Sequence, residues 1–247
     1  MQGLVTLDFG NSNPHAGIFH KIQNEWQLIK VVPWNELSLF LTQLEMNASN
    51  TQLVLSEVKE REEELFPLLQ QGYLLTRLKD YWRGAKFAGM PVQYAKTLGE
   101  DRLITAFYAY KKEKIPTLLI DAGTFVTMDV VTSEGFQGGY IIPGTQSYFA
   151  SFNRAEKLKD VELHADFHGK LPQETAKAMS ESYSAFAALA QKLISEHKIK
   201  RILLTGGQNL LWKSFFEELP EGVVLQTEPN LIHLALQYWM TTQIETL

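Results

Sequence analysis

Two short stretches place a carboxylate beside glycine and small polar side chains in a way that could grip phosphates. In "LVTLDFGNSNP", residues 4–14, an apolar run ends on Asp8 and is followed by Gly10, Asn11 and Ser12. In "TLLIDAGTFVTMDVV", residues 117–131, another apolar run ends on Asp121 and is followed by Gly123 and Thr124. Such a junction can be a plain hairpin, because Gly, Asn, Ser and Pro favour turns and Asp bonds nearby backbone N–H groups. It can equally be an anion cradle. Glycine lets a ligand approach the backbone, turn N–H groups point at the anion, and the carboxylate holds a neutralising cation. One copy leaves both readings open. The second, near the start of the other half, points to an internal duplication and favours the cradle.

Three further stretches carry candidate chemistry. "TLGEDRLITA", 97–106, sets Gly99, Asp101 and Arg102 at the start of a helix, where Asp101 could also be a simple N-terminal helix charge. "ILLTGGQN", 202–209, ends a strand on Gly206-Gly207 and opens a helix, either as a turn or as room for a ligand. "GFQGGYIIPG", 135–144, crowds four glycines and a proline around a short strand, which could be an edge strand with two turns.

The elements that must position these residues follow from periodicity. Strands are expected at 3–9, 15–20 and 26–32. A helix follows in "PWNELSLFLTQLEM", with its apolar face on Leu37, Phe40, Leu41 and Leu44. "TQLVLSE" reads as a buried strand, "KEREEELFPLLQQG" as a charged helix and "YLLTRL" as a strand. Residues 79–97 read as a loop. After a helix that buries Leu103, Phe107 and Tyr110, strands are expected at 117–121, 124–131 and 136–142. One long helix at 173–196 follows, then strand 200–205, helix 208–219, strand 223–226 and helix 229–244. Both halves are thus βββ followed by alternating α and β. The expected fold is α/β, with two duplicated βββαβαβ mixed-sheet halves, 1–112 and 113–247, facing a cleft. The halves resemble the ribonuclease H-like type, which implies that the cleft binds a nucleotide.

Bulk properties exclude several classes. The 247 residues carry a net charge of −5, so no overall field attracts nucleic acid or an anionic membrane. With 45% hydrophobic and 21% charged residues the chain reads as globular. Cysteine is absent, which removes disulfides, thiolate catalysis and cysteine-ligated zinc. No apolar run approaches the roughly 20 residues of a membrane helix, and no signal peptide is visible, so a cytoplasmic protein is expected. His15, His20, His164, His168, His197 and His233 lack metal-ligand spacing and read as structural or surface residues.

Two Asp-x-Gly turns on duplicated sheets resemble the superfamily of acetate kinases, sugar kinases, actin and Hsp70, in which the turns grip ATP from either side. Adding Gly99-x-Asp101-Arg102, "DAGT" and "GGYIIPG", in this order, the chain resembles type III pantothenate kinase over nearly its whole length. That resemblance implies phosphorylation of pantothenate by ATP, the first step of coenzyme A synthesis. It implies Asp101 as the base for the pantothenate hydroxyl, with Tyr94, Gly99 and Arg102 lining the pantothenate site. Thr175 would reach pantothenate from the partner subunit of a homodimer. ATP would be held by Asp8, Gly10, Asn11, Ser12, Gly123, Thr124, Gly206 and Gly207. Asp8 would organise Mg²⁺ indirectly, and Asp121 would bind a monovalent cation, potassium or ammonium.

Several positions depart from the family pattern. Ser12 stands for the usual Thr, Lys96-Thr97 for Asn-Pro, and Glu174 for the Asn before Thr175. Ser182 replaces a glycine, and Thr145-Gln146 replace an apolar pair. The phosphate side is kept while the dimer-side contacts are changed. A second class of function is therefore a nucleotide-binding regulatory or accessory protein with weak or lost kinase activity. A third is a polyphosphate or nucleotide phosphatase on the same fold.

Overall fold

Every residue of β1 (Gly3–Phe9) except Asp8 is buried, as befits a central strand covered on both faces. Around it the chain adds β2 (His15–Ile22), β3 (Glu25–Pro33), α1 (Leu37–Gln43), β4 (Thr51–Glu57), α2 (Glu62–Gln70) and β5 (Leu74–Arg77). The computed structural model describes residues 3–59, 61–154 and 171–244, so His164 and His168 lie outside the described residues. The five strands run in the order β3-β2-β1-β4-β5, with β1 antiparallel to β2 and parallel to β4. Val5, Leu7 and Phe9 on β1 pack with Leu53 and Leu55 of β4 and with Leu37, Leu41, Leu65 and Leu68 from the two helices.

The segment expected as a loop at 79–97 carries a small hairpin, β6 (Lys86–Phe87) and β7 (Met90–Pro91). Ala88 and Gly89 both have positive φ, which makes the two-residue turn, and the turn buries Phe87 and Met90. The hairpin was invisible to periodicity because each strand is two residues long. α3 (Glu100–Lys112) follows, with acids in its first turn and Lys111 and Lys112 in its last, complementing the helix dipole.

The second sheet repeats the first. β8 (Thr117–Ala122), β9 (Phe125–Thr132) and β10 (Gly135–Pro143) form the meander. α4 (Thr145–Ala150), α5 (Thr175–Ser182), α6 (Ala185–Glu196), β11 (Arg201–Thr205), α7 (Asn209–Ser214) and β12 (Val224–Thr227) complete it. Its order is β10-β9-β8-β11-β12, with β8 antiparallel to β9 and parallel to β11.

The single helix expected at 173–196 is two helices. At the break, Ser182 and Ser184 turn their hydroxyls back onto the carbonyls of Met179 and Glu181 at 2.8 and 2.6 Å. Serine that bonds locally competes with helix continuation. Tyr183 between them is fully buried among Ile142, Ala190 and Trp212, with Phe186 and Leu189 packed against the same core. These side chains fill the core of their own unit.

The chain divides into two compact units. One holds Met1–Glu113, Glu134–Phe136 and Asn230–Leu247; the other holds Lys114–Ser133 and Gln137–Pro229. The last helix, α8 (Leu231–Ile244), thus belongs with the first unit rather than with the contiguous second half, 113–247, expected from sequence. The reason is packing: α8 lies against α3, β1 and β4, and Trp239 stacks on Phe87.

Candidate active site

In the first unit Asp8 is the last residue but one of β1, paired across the sheet with His15 on β2 and flanked by Ser56 on β4. A Cβ on Gly10 would meet only Asp8 Oδ2, at an ordinary contact distance of 3.8 Å, and Asn11 and Ser12 are exposed. The turn is thus an accessible loop with a carboxylate at its root. Asp8 Oδ2 lies 3.5 Å from His15 Nε2. His15 Nδ1 lies 2.8 Å from His233 Nε2, and His233 Nδ1 lies 2.7 Å from Thr6 Oγ1. Burial lowers the pKa of His15, against a smaller raising effect of its own backbone. Burial and then the neighbouring His15 push His233 down to about 3. Sequence reasoning missed this pair because the two rings are 218 residues apart.

A second group of the residues singled out in the sequence clusters at the start of α3. Gly99 caps the helix in extended conformation, and a Cβ there would collide with Asp101 Oδ1. Asp101 Oδ1 accepts the Arg102 N–H at 2.8 Å. Desolvation raises the Asp101 pKa, while that hydrogen bond and the Arg102 charge pull it back. Arg102 is buried with its guanidinium 5.1 Å from the Tyr94 ring and 5.8 Å from the Phe136 ring. Cation–π contacts of this kind hold a planar guanidinium in place. Tyr94 thus stands against Arg102, which Gly99 and Asp101 precede at the helix start.

Beside them lies a cavity of about 580 Å³ lined in part by Glu57, Lys79, Arg83, Lys96, Gly99 and Glu100. The Glu57 N–H donates to Glu100 Oε2 at 3.0 Å, and Glu57 Oε1 lies 2.8 Å from both Arg77 Nη1 and Lys79 Nζ. Burial, with a further contribution from the Glu57 charge, raises Glu100 to about 7. Neither glutamate stood out in the sequence: Glu100 is an ordinary helix-start charge, and Glu57 is a single acid at the end of a strand.

In the second unit Asp121 lies near the end of β8, paired with Thr205 of β11. Gly206 has φ +87°, and a Cβ on it would stand 2.5 Å from Asp121 Oδ1 and 2.6 Å from the Ala122 backbone. Gly206 thus serves close packing on the Asp121 turn. Gly207 has nothing within 4 Å, which leaves open space beside the turn. The Gly123 N–H donates to Phe125 O at 3.1 Å and the Gly144 N–H to Thr124 O at 3.0 Å. Thr175 opens α5 and is exposed.

The donor sets suit the cations that the resemblance implies. Asp8 offers a partly exposed carboxylate, the hard oxygen ligand that Mg²⁺ takes directly or through water. Asp121 offers a carboxylate, a hard oxygen ligand, in a turn built from close-packed backbone.

Two five-stranded sheets of identical order, each with an Asp-x-Gly turn at its middle strand, define the fold of the sugar-kinase class. A Sinorhizobium meliloti protein named as a candidate 2-dehydro-3-deoxygalactonokinase superposes with a TM-score of 0.60 at 12% identity, covering 99% of this chain and 100% of that one. A Campylobacter jejuni protein named as a candidate Baf family transcriptional activator superposes at 0.62 and 18% identity, covering 98% and 99%. Within that class the chain belongs to the type III pantothenate kinase family, whose family model matches residues 4–196. Type III pantothenate kinases of Desulfosudis oleivorans and Desulfatibacillum aliphaticivorans are 28% and 26% identical to it. The alignments cover 83% and 90% of this chain and 87% and 95% of theirs.

Proposed function

We infer that the protein transfers the γ-phosphoryl group of ATP to the primary alcohol of pantothenate, giving ADP and 4′-phosphopantothenate. The observation that carries this reading is the Gly99-Glu100-Asp101-Arg102 start of α3. It holds a desolvated carboxylate on the backbone N–H of Arg102, whose guanidinium is braced by two rings, next to a cavity lined in part by Gly99 and Glu100. Asp101 takes the hydroxyl proton as the alcohol oxygen bonds to phosphorus and the bond from phosphorus to the bridging oxygen breaks. A base raised by burial toward working pH is suited to that step. Arg102, Tyr94 and Gly99 orient the acceptor. The turns at Asp8-Gly10-Asn11-Ser12 and Asp121-Gly123-Thr124 hold phosphates, and Gly207 leaves space for the nucleoside beside Gly206. Bound Mg²⁺ supplies charge neutralisation of the phosphates, and Asp8 is the residue that would organise it. Asp121 would take potassium or ammonium. The reading includes a cytoplasmic homodimer, with exposed Thr175 offered to the partner's acceptor site; the lack of cysteine and the use of ATP suit that compartment.

One experiment tests the whole. The protein is incubated with ATP, Mg²⁺, potassium and pantothenate, and ADP and 4′-phosphopantothenate are measured, with sedimentation run on the same sample. Equal amounts of the two products from a dimer are expected. Omitting potassium should lower the rate unless ammonium replaces it. ATP binding without 4′-phosphopantothenate would overturn the kinase reading. It would favour the second one, a nucleotide-binding regulatory protein, for which the changed residues Glu174 and Ser182 around Thr175 speak.

A further inference from the structure

The phosphoryl transfer described above makes no use of His15 or His233, yet their rings are the most closely connected side chains behind the first turn. Three polar contacts run in line from Thr6 through His233 and His15 to Asp8, at 2.7, 2.8 and 3.5 Å. The chemistry of the end groups fixes their sense. An ionised carboxylate only accepts hydrogen bonds, so His15 must carry its proton on Nε2. His15 Nδ1 is then an acceptor and takes the proton of His233 Nε2. His233 Nδ1 in turn accepts from the Thr6 hydroxyl, in preference to the Gly17 carbonyl at 3.3 Å. All three donors point toward Asp8. The last contact is at the long end of hydrogen-bonding reach and is the weakest joint of the chain.

Two features show that the arrangement is built. Gly17, in the interior of β2, is the residue that admits His233: a Cβ there would stand 2.7 Å from the His233 ring and 2.6 Å from Thr6 Oγ1. Glycine inside a strand weakens it and marks close approach of another group. His233 is 1% exposed and comes from α8, beyond the residues 4–196 that match the family.

We propose that His15 is a positioning residue for Asp8, with its ring fixed by His233, so that the C-terminal helix sets the orientation of the carboxylate that receives Mg-ATP. The proposal rests on the role given to Asp8 above. A histidine behind a carboxylate restricts its rotation, as outer partners of metal-site ligands do.

The test is calorimetric binding of Mg-ATP to the full chain, alongside KM values for both substrates. Loss of an outer partner typically costs about 10- to 100-fold in affinity, and His15→Ala should weaken Mg-ATP binding by about tenfold. His15→Gln should recover most of that, because its amide can donate to Asp8 and accept from His233. His233→Ala should match His15→Ala, and the double variant should be no weaker than either, since both act through one chain. KM for Mg-ATP should rise by the same factor and KM for pantothenate should not move. Wild-type affinity in His15→Ala, an equal loss in His15→Gln, or full additivity of the two alanine variants would each overturn the proposal. Should His233→Ala fail to fold, the His15→Ala and His15→Gln pair decides alone, since His15 is a third exposed. A wild type that binds Mg-ATP but does not phosphorylate pantothenate removes the pantothenate reading and leaves this test intact. A wild type that does not bind Mg-ATP removes both.

Discussion

The same junction, strand to Asp to Gly to strand, is built in opposite ways in the two units. In the first, five residues separate Asp8-Phe9 from His15, the Gly10 side is open, and the carboxylate is backed by side chains. In the second, two residues join β8 to β9, and the Asp121 turn is packed by the backbone of Gly206 and Gly144. The cluster at Asp101 also belongs to the first unit. Duplication preserved the strand order and the carboxylate while the means of holding it diverged. One unit supplies side-chain chemistry, and the other supplies backbone shape.

The largest expected effect tests the first half of that contrast. Asp101→Asn keeps size and the contact to the Arg102 N–H but cannot accept the substrate proton. General-base contributions are about 10² to 10⁴ in rate, so kcat should fall by that order while Mg-ATP affinity stays. Normal turnover of pantothenate by the variant would make Asp101 a helix-end charge and place the base elsewhere.

Replacing the glycines of the two turns tests the second half. Gly206→Ala forces a Cβ into the Ala122 backbone at a positive φ. Strain and overpacking of this kind cost roughly 2–5 kcal/mol, to be read from the denaturant midpoint. Gly10→Ala makes only an ordinary contact with Asp8 Oδ2 and should stay within about 0.5 kcal/mol of wild type, as an unencumbered surface change does. Its effect should appear in nucleotide affinity instead. Equal destabilisation by the two substitutions would erase the distinction between an open and a packed turn.

The smallest effect concerns Glu100, held against the Glu57 N–H and raised from 4.5 to about 7 chiefly by burial. Between those values the unfolded chain releases the proton while the folded chain keeps it. Stability therefore falls as pH rises through that window and stays lower above it. Glu100→Gln keeps an acceptor for the Glu57 N–H and abolishes this dependence. Above pH 7 it should be more stable than wild type by on the order of 1 kcal/mol, after discounting for solvent screening. Thermal melts from pH 4 to 8 that remain parallel for the two proteins would show that Glu100 titrates normally.

Much of this was legible in the sequence because it is local. Apolar runs such as Leu4 to Leu7 and Leu118 to Ile120 can only be buried strands, and both proved to lie at or beside the middle of a sheet. The cluster at 94–102 was readable because its members are neighbours in the chain, Gly99 and Asp101 within one turn. Periodicity failed where a short-range competitor intervened. Ser182 and Ser184 broke a helix whose apolar pattern ran on unbroken, and the Ala88-Gly89 turn made a hairpin too short to show a period.

By itself, then, the sequence determined two copies of one strand-and-helix order, the carboxylates at their turns and the family, because each is written in contiguous residues. Tertiary structure alone decided where α8 packs and which buried polar groups meet. Thr6, His15 and His233 become neighbours only because α8 returns to β1, and Gly17 leaves the space for it. Burial then disfavours the charged form of both imidazoles and raises the pKa of Asp101 and Glu100, and no local pattern records the burial of such polar groups.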